Sequence, residues 1–165
     1  MTNEKDCFVF YYNKYKDKIY SYFWFRVNFD QKTAEDLTSE VFIKALKNFE
    51  KFDVTRSFQA WIYAISRNHL INYYKASKRE TSLAEAEGIV KLFHTQVDEK
   101  LELEEVIKVI NSMEGNYKEI ILLRFIEGLT NQEIAQLLGK EEGAVRTQIS
   151  RSMSKLRELL KNKYE

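Results

Sequence analysis

Arg146, Thr147, Gln148, Ser150 and Arg151 stand within two helical turns of one another in "GAVRTQISRSM", and their side chains can read nucleic-acid bases. A guanidinium pairs bidentately with guanine and a carboxamide with adenine, while Lys155 and Arg157, further along, suit phosphates. A second constellation lies upstream, where Trp61, Tyr63, Tyr73 and Tyr74 are interleaved with Arg67 and Lys75. Aromatic faces beside cations hold unstacked single-stranded bases, although aromatics at helical spacing are also the usual stuff of a core. Catalytic chemistry has little support. His69 and His94, the two histidines, fall in different segments, "GKEEGA" lacks the spacing of a phosphate-binding loop, and neither a metal site nor a cofactor is expected. His69 continues a helical stripe with Phe58, Ile62 and Ile65, so packing is its expected role.

The elements that must position these residues are helices. The chain has 165 residues, no proline and 5 glycines, and it combines 44% hydrophobic with 31% charged residues, which favours an all-α fold over sheet or disorder. Cys7 is the lone cysteine, so no internal disulfide can form, and a reducing interior is the natural compartment. The N-terminal stretch is broken by charges and no segment has the apolar length of a bilayer span, so the expectation is a cytoplasmic protein without membrane insertion.

Apolar spacing predicts a first helix through Phe8, Tyr12, Tyr15, Ile19, Tyr22 and Phe23, ending near "VNFDQ". "TAED" has the form of a capping box that opens a second helix at Thr33. That helix would bury Leu37, Val41, Ala45 and Phe49 and turn Asp36, Glu40, Ile43 and Lys47 to another face, where Ile43 is out of character. Ser57 would cap a third helix from Phe58 to about Lys78. Between 79 and 101 periodicity weakens and serine, threonine and acids accumulate, which reads as a linker between a domain over 1–78 and another over 102–165. The second domain is expected to hold helices over Leu103 to Met113, Tyr117 to Glu127, Asn131 to Leu138 and Gly143 to about Lys161. Gly115, Gly128 and Gly139 would close helix ends.

Net charge is only +1, but it is unevenly placed: Arg56 to Arg79 contains five cations and no acid, 85 to 105 is mostly acidic, and the chain beyond Glu142 is basic again. In "LTNQEIAQLLGKEEGAVRTQISRSM", Thr130 caps a short helix with Ile134, Ala135 and Leu138 inward, Gly139 makes the turn, and Val145 and Ile149 anchor the next helix. This is helix-turn-helix spacing, in which the second helix enters the major groove. Glu141 and Glu142 oppose phosphate at its start.

"AEDLTSEVFIKALKNFEKFD", "SFQAWIYAISRNHLINYYK" and "KEIILLRFIEGLTNQEIAQLLGKEEGAVRTQISRSMSKLRELL", in that order, resemble a bacterial RNA polymerase sigma factor of the extracytoplasmic-function type. The resemblance covers nearly all the chain outside the linker and implies two small helical domains, regions two and four, without the domain that larger sigma factors place between them. By that resemblance Asp36, Ser39, Glu40, Ile43 and Lys47 dock on the β′ coiled coil of core RNA polymerase. Phe52, Asp53, Val54, Thr55 and Arg56, with Asn68, form the pocket for a base flipped from the non-template strand of the minus-ten element, and Trp61, Arg67 and Lys75 line that strand. Arg146, Thr147, Gln148, Ser150, Arg151 and Lys155 read the minus-thirty-five element as duplex, and their domain contacts the β-flap. An anti-sigma factor is a further partner common to similar proteins.

Flipping a base costs a few kcal/mol, so a pocket for it holds opened strands apart without an ATP-binding motif. Two short basic blocks should bind duplex weakly unless polymerase adds contacts, because affinity follows the number of phosphates neutralised. Similar proteins often carry an acid at the position of Asn72, a small or polar residue at Glu141 and Glu142, and arginine at Gln148, departures that bear on promoter sequence. The rival reading is an autonomous regulator that binds duplex DNA as a dimer through the same helix-turn-helix.

Overall fold

The computed structural model describes residues 4–81 and 98–165. All the regular structure among them is helical: α1 Glu4–Trp24, α2 Gln31–Lys47, α3 Phe58–Thr81, α4 Asp98–Ser112, α5 Gly115–Ile121, α6 Asn131–Leu138 and α7 Glu142–Tyr164. A 3-10 turn, Phe49–Lys51, follows α2, and a π-helical turn, Leu122–Ile126, continues α5. The chain forms two compact units divided between Ala86 and Glu87. Most of the expected linker, and His94 with it, lies outside the described residues, whereas its first and last residues continue α3 and α4.

The first unit packs α1, α2 and α3 around one core. Ile19, Tyr22 and Phe23 from α1, Val41 and Ala45 from α2, and Ile62 and Tyr63 from α3 are fully buried. Tyr63 therefore belongs to the core and not to a base-stacking face. The inward stripe of α3 runs Phe58, Ile62, Tyr63, Ser66 and Leu70, rotated from the predicted Ile65 and His69, which are half-buried. Tyr12, expected inward, is 41% exposed and meets Phe42 edge-on. The N-cap of α2 lies three residues before the predicted Thr33, because Asp30 Oδ1 accepts a hydrogen bond from the Thr33 amide at 2.9 Å and so takes that role itself. The α1–α2 turn is tight, with Asn28 and Phe29 both at positive φ, 54° and 62°. Ser57 does cap α3, its Oγ accepting from the Ala60 amide at 3.2 Å.

The core of the second unit is aliphatic: Ile107, Val109, Ile110, Ile120, Ile121, Leu122, Leu123, Leu129, Ile134, Val145 and Leu156. Gly128 and Gly139 sit at φ of 73° and 63°, which the chain reversals there require. Gly115 does not; it opens α5 with ordinary backbone. The predicted single helix over Tyr117 to Glu127 is broken in character at Leu122, where an extra residue enters the turn and the Glu127 amide reaches back five residues to the Leu122 carbonyl at 2.9 Å. No helix among the described residues is long and apolar enough to cross a membrane.

Candidate functional site

Helix α2 presents one continuous solvent face. Its inward positions Ala34, Leu37, Val41, Phe42 and Ala45 are buried, which leaves Asp36, Ser39, Glu40, Ile43 and Lys47 exposed together. Ile43 is 53% exposed, as its position on the polar side predicts, and Leu46, one turn away, is 54% exposed. Leu46 was not legible as part of this face from polarity, although its i+3 relation to Ile43 points there. Beside these residues a groove between α2 and α3 is lined by Asp36, Glu40, Lys44, His69, Asn72 and Tyr73. His69 bridges the two helices: its Nε2 lies 2.6 Å from Glu40 Oε2 and its Nδ1 lies 2.7 Å from Lys44 Nζ.

The irregular segment after α2 is held by rings. Phe52 stacks on Phe49 at 6.0 Å, lies at 4.8 Å from Trp61 and meets Phe58 and Tyr11 edge-on, and Tyr11 in turn stacks on Phe58 at 4.1 Å. Phe52 is consequently buried and serves the segment as its anchor, so the surface it was expected to offer a base comes instead from Asp53, Val54, Thr55 and Arg56, all exposed. Val54 is 78% exposed. Asp53 organises them. Its Oδ1 accepts from both the amide, at 2.9 Å, and the hydroxyl, at 2.6 Å, of Thr55, and its other oxygen is 3.5 Å from Arg56 Nε. The Thr55 hydroxyl first, then the Thr55 amide and the Arg56 charge, hold the Asp53 carboxyl below the usual aspartate range. Farther along α3, Trp61 and Arg67 are half-buried while Asn68 and Lys75 are exposed. The structure thus brings 53–56 and Trp61 together through the ring cluster, and spreads Arg67, Asn68 and Lys75 down α3.

In the second unit Thr130 caps α6 as expected and does so within a complete capping box: the Glu133 amide donates to the Thr130 hydroxyl at 3.2 Å and Glu133 Oε2 accepts from the Thr130 amide at 2.9 Å. Ile134 and Ala135 are buried, Gly139 turns the chain, and α7 is anchored by buried Val145, Ser152 and Leu156, with Ile149 half-buried between them. That stripe directs Arg146, Thr147, Ser150, Arg151 and Lys155 to solvent. Three of them carry local contacts: Arg146 with Glu142 at 3.3 Å, the Thr147 hydroxyl with the Gly143 carbonyl at 3.1 Å, and Lys155 with Glu158 at 3.4 Å. Exposed pairs of this kind are worth at most about 1 kcal/mol and exchange readily for a nucleic-acid contact. Gln148 is different. It is half-buried, its Oε1 accepts from Lys140 at 2.7 Å and its Nε2 donates to the Asn116 carbonyl at 3.4 Å, so it ties α7 to the start of α5. Among the described residues no group of three or more His, Cys, Asp or Glu could hold a metal ion.

Two family models match the chain. The model for sigma-70 region 2 matches residues 11–80, and the model for sigma-70 region 4 matches residues 103–156. The chain is 32% identical over 165 residues to the ECF RNA polymerase sigma factor BldN of Streptomyces coelicolor, an alignment that covers 96% of this chain and spans only 62% of that relative. It is 29% identical over 172 residues to the ECF RNA polymerase sigma factor SigW of Bacillus subtilis, covering 96% of this chain and 91% of the relative. Among solved structures, the sigma factor RpoE in complex with the anti-sigma factor NepR from Bartonella quintana superposes with a TM-score of 0.67 at 26% identity, covering 79% of this chain and 82% of that one. CnrH in complex with the cytosolic domain of CnrY superposes with a TM-score of 0.72 at 22% identity, covering 97% and 90%, and shares the fold.

Proposed function

Because this chain belongs to the sigma-70 family, and within it to the ECF type, we propose that it directs core RNA polymerase to specific promoters and promotes strand opening at the start of transcription. The observation that carries the reading is the presence of both a region 2 match and a region 4 match, in that order, on a single chain. A factor of this kind contributes binding and positioning, and the polymerase makes the RNA. It works in the cytoplasm, where polymerase and promoters are.

The proposed division of labour assigns each exposed surface one task. The exposed face of α2, with Asp36, Ser39, Glu40, Ile43 and Lys47, docks on the β′ coiled coil, which supplies the reason for two bare aliphatic side chains on a charged surface. The ordered 53–56 segment and Asn68 receive the flipped base of the minus-ten element, with Trp61, Arg67 and Lys75 along the non-template strand, so that binding energy gained only on opened DNA offsets the unpairing. Helix α7 enters the major groove of the minus-thirty-five element, where Arg146, Thr147 and Ser150 face the base edges and Arg151 and Lys155 neutralise phosphate, while the same unit reaches the β-flap. Anti-sigma control is part of the proposal, since the structural relative RpoE is a sigma factor in complex with an anti-sigma factor. The rival, a dimeric regulator that binds DNA alone, leaves the region 2 match without a purpose.

Run-off transcription with purified core polymerase on a random promoter library tests this directly. Defined start sites sharing two spaced sequence elements are expected. Absence of specific initiation at any template overturns the function, and a specific gel shift on duplex DNA without core polymerase favours the rival.

A further inference from the structure

We propose that His69 is a positioning residue for polymerase docking: it bridges Glu40 and Lys44 and fixes both side chains on the α2 face. The proposal rests on the reading that this face binds core polymerase.

The partners decide which ring nitrogen donates. A Lys44 ammonium can only donate and a Glu40 carboxylate can only accept. Nδ1, 2.7 Å from Lys44 Nζ, must therefore accept, and Nε2, 2.6 Å from Glu40 Oε2, must carry the hydrogen and donate. The ring is consistent with one tautomer of the neutral form. Its side chain is 12% exposed whereas that of Glu40 is 57% exposed, so the histidine is the fixed member and the carboxylate the one held in place at the surface. Without the bridge, a glutamate on an open helix face samples several rotamers, and a partner must immobilise it on binding.

A glutamine at 69 can donate to Glu40 and accept from Lys44, whereas a leucine can do neither.

The test is titration of labelled full-length protein with core polymerase, comparing wild type, His69→Gln, His69→Leu and Glu40→Lys in one buffer. His69→Gln, which keeps a donor for Glu40 and an acceptor for Lys44, should bind as wild type does. His69→Leu, unable to hold either partner, should bind roughly tenfold more weakly, and circular dichroism checks that it folds. Unchanged binding by folded His69→Leu overturns the positioning role, and so does an equal loss in folded His69→Gln and His69→Leu, because the shape of the ring and not its two contacts would then matter. If His69→Leu does not fold, His69→Met takes its place. Glu40→Lys separates the two levels: its full binding removes the docking face itself, whereas its loss alongside indifference to His69 removes this proposal alone.

Discussion

The two units bury different chemistry. The first is filled with rings, including Tyr15, Tyr22, Phe23, Phe42, Phe52, Phe58 and Tyr63, while the buried hydrophobic residues described in the second are all aliphatic or Met113. The difference matches what each must hold still. Helix α7 is a single regular element, and a stripe of branched side chains against α6 and α5 suffices to set its azimuth, after which helical periodicity delivers every outward residue. The 48–57 segment has no such periodicity. Flat, rigid rings with few rotatable bonds can clamp an irregular backbone from several directions at little entropic loss, and Phe49, Phe52, Phe58 and Trp61 do this. Regular sites need an aligned helix, and irregular ones need an anchor.

The strongest way to break the comparison is outside both cores. Glu40→Lys, on an exposed helix position, should leave the circular dichroism spectrum unchanged and weaken co-purification with core polymerase by about a hundredfold or more, since like charges at an interface cost several kcal/mol; undiminished recovery of polymerase removes α2 from the interface. Phe52→Ala should lower the stability of the first unit by about 3–5 kcal/mol in denaturant titration and abolish promoter opening, because the ring anchors the segment. Retained opening with loss of stability would separate core from site and contradict the anchoring role. Arg146→Ala should cost about 1–3 kcal/mol at one upstream base position, read by selection from randomised promoters, with stability unaffected. Equal discrimination at every position would mean that α7 presents another residue. The smallest effect concerns Asp53. Its native carboxyl is held below the usual range, so whatever order its ionised form gives the segment is complete above the unfolded aspartate value and is lost as pH falls through the depressed native one. Amide exchange at Thr55 should accordingly accelerate, relative to the intrinsic rate, only in strong acid, and Asp53→Asn should reproduce that acceleration at neutral pH.

The same contrast explains what could be read from sequence. Much of the helix-turn-helix was legible, because Thr130 and Gly139 are local signals and Ile134, Ala135 and Val145 recur with helical spacing, whereas Gln148, expected to face bases, ties α7 to α5. Asn131–Leu138 has the predicted bounds. The N-cap of α2 was misplaced by three residues because Asp30 and Thr33 are both competent caps, and only the turn through Asn28 and Phe29 decides between them. In α3 the crowd of aromatics left the inward stripe ambiguous; Tyr63 is buried where Ile65 was expected, a choice made by α1 and α2 packing against it and not by local periodicity. Phe52 was expected to face a base because the resemblance assigns the whole 52–56 segment to the pocket. Its burial depends on Tyr11, far away in sequence, and no spacing rule reaches that distance.

The π-helical turn at Leu122–Ile126 has an implication for how this protein can vary. Such a turn behaves as one surplus residue lodged in an α-helix, and each residue of an α-helix advances its direction by about 100°. Deleting a single codon within this turn would relax it to ordinary α-helix and rotate the residues after the deletion by roughly that angle relative to buried Ile120 and Ile121, so the stripe on which this unit packs would no longer align. Substitutions at exposed positions of α7 therefore leave the scaffold as it is, whereas a change in length at this one place would disturb the core that sets its direction.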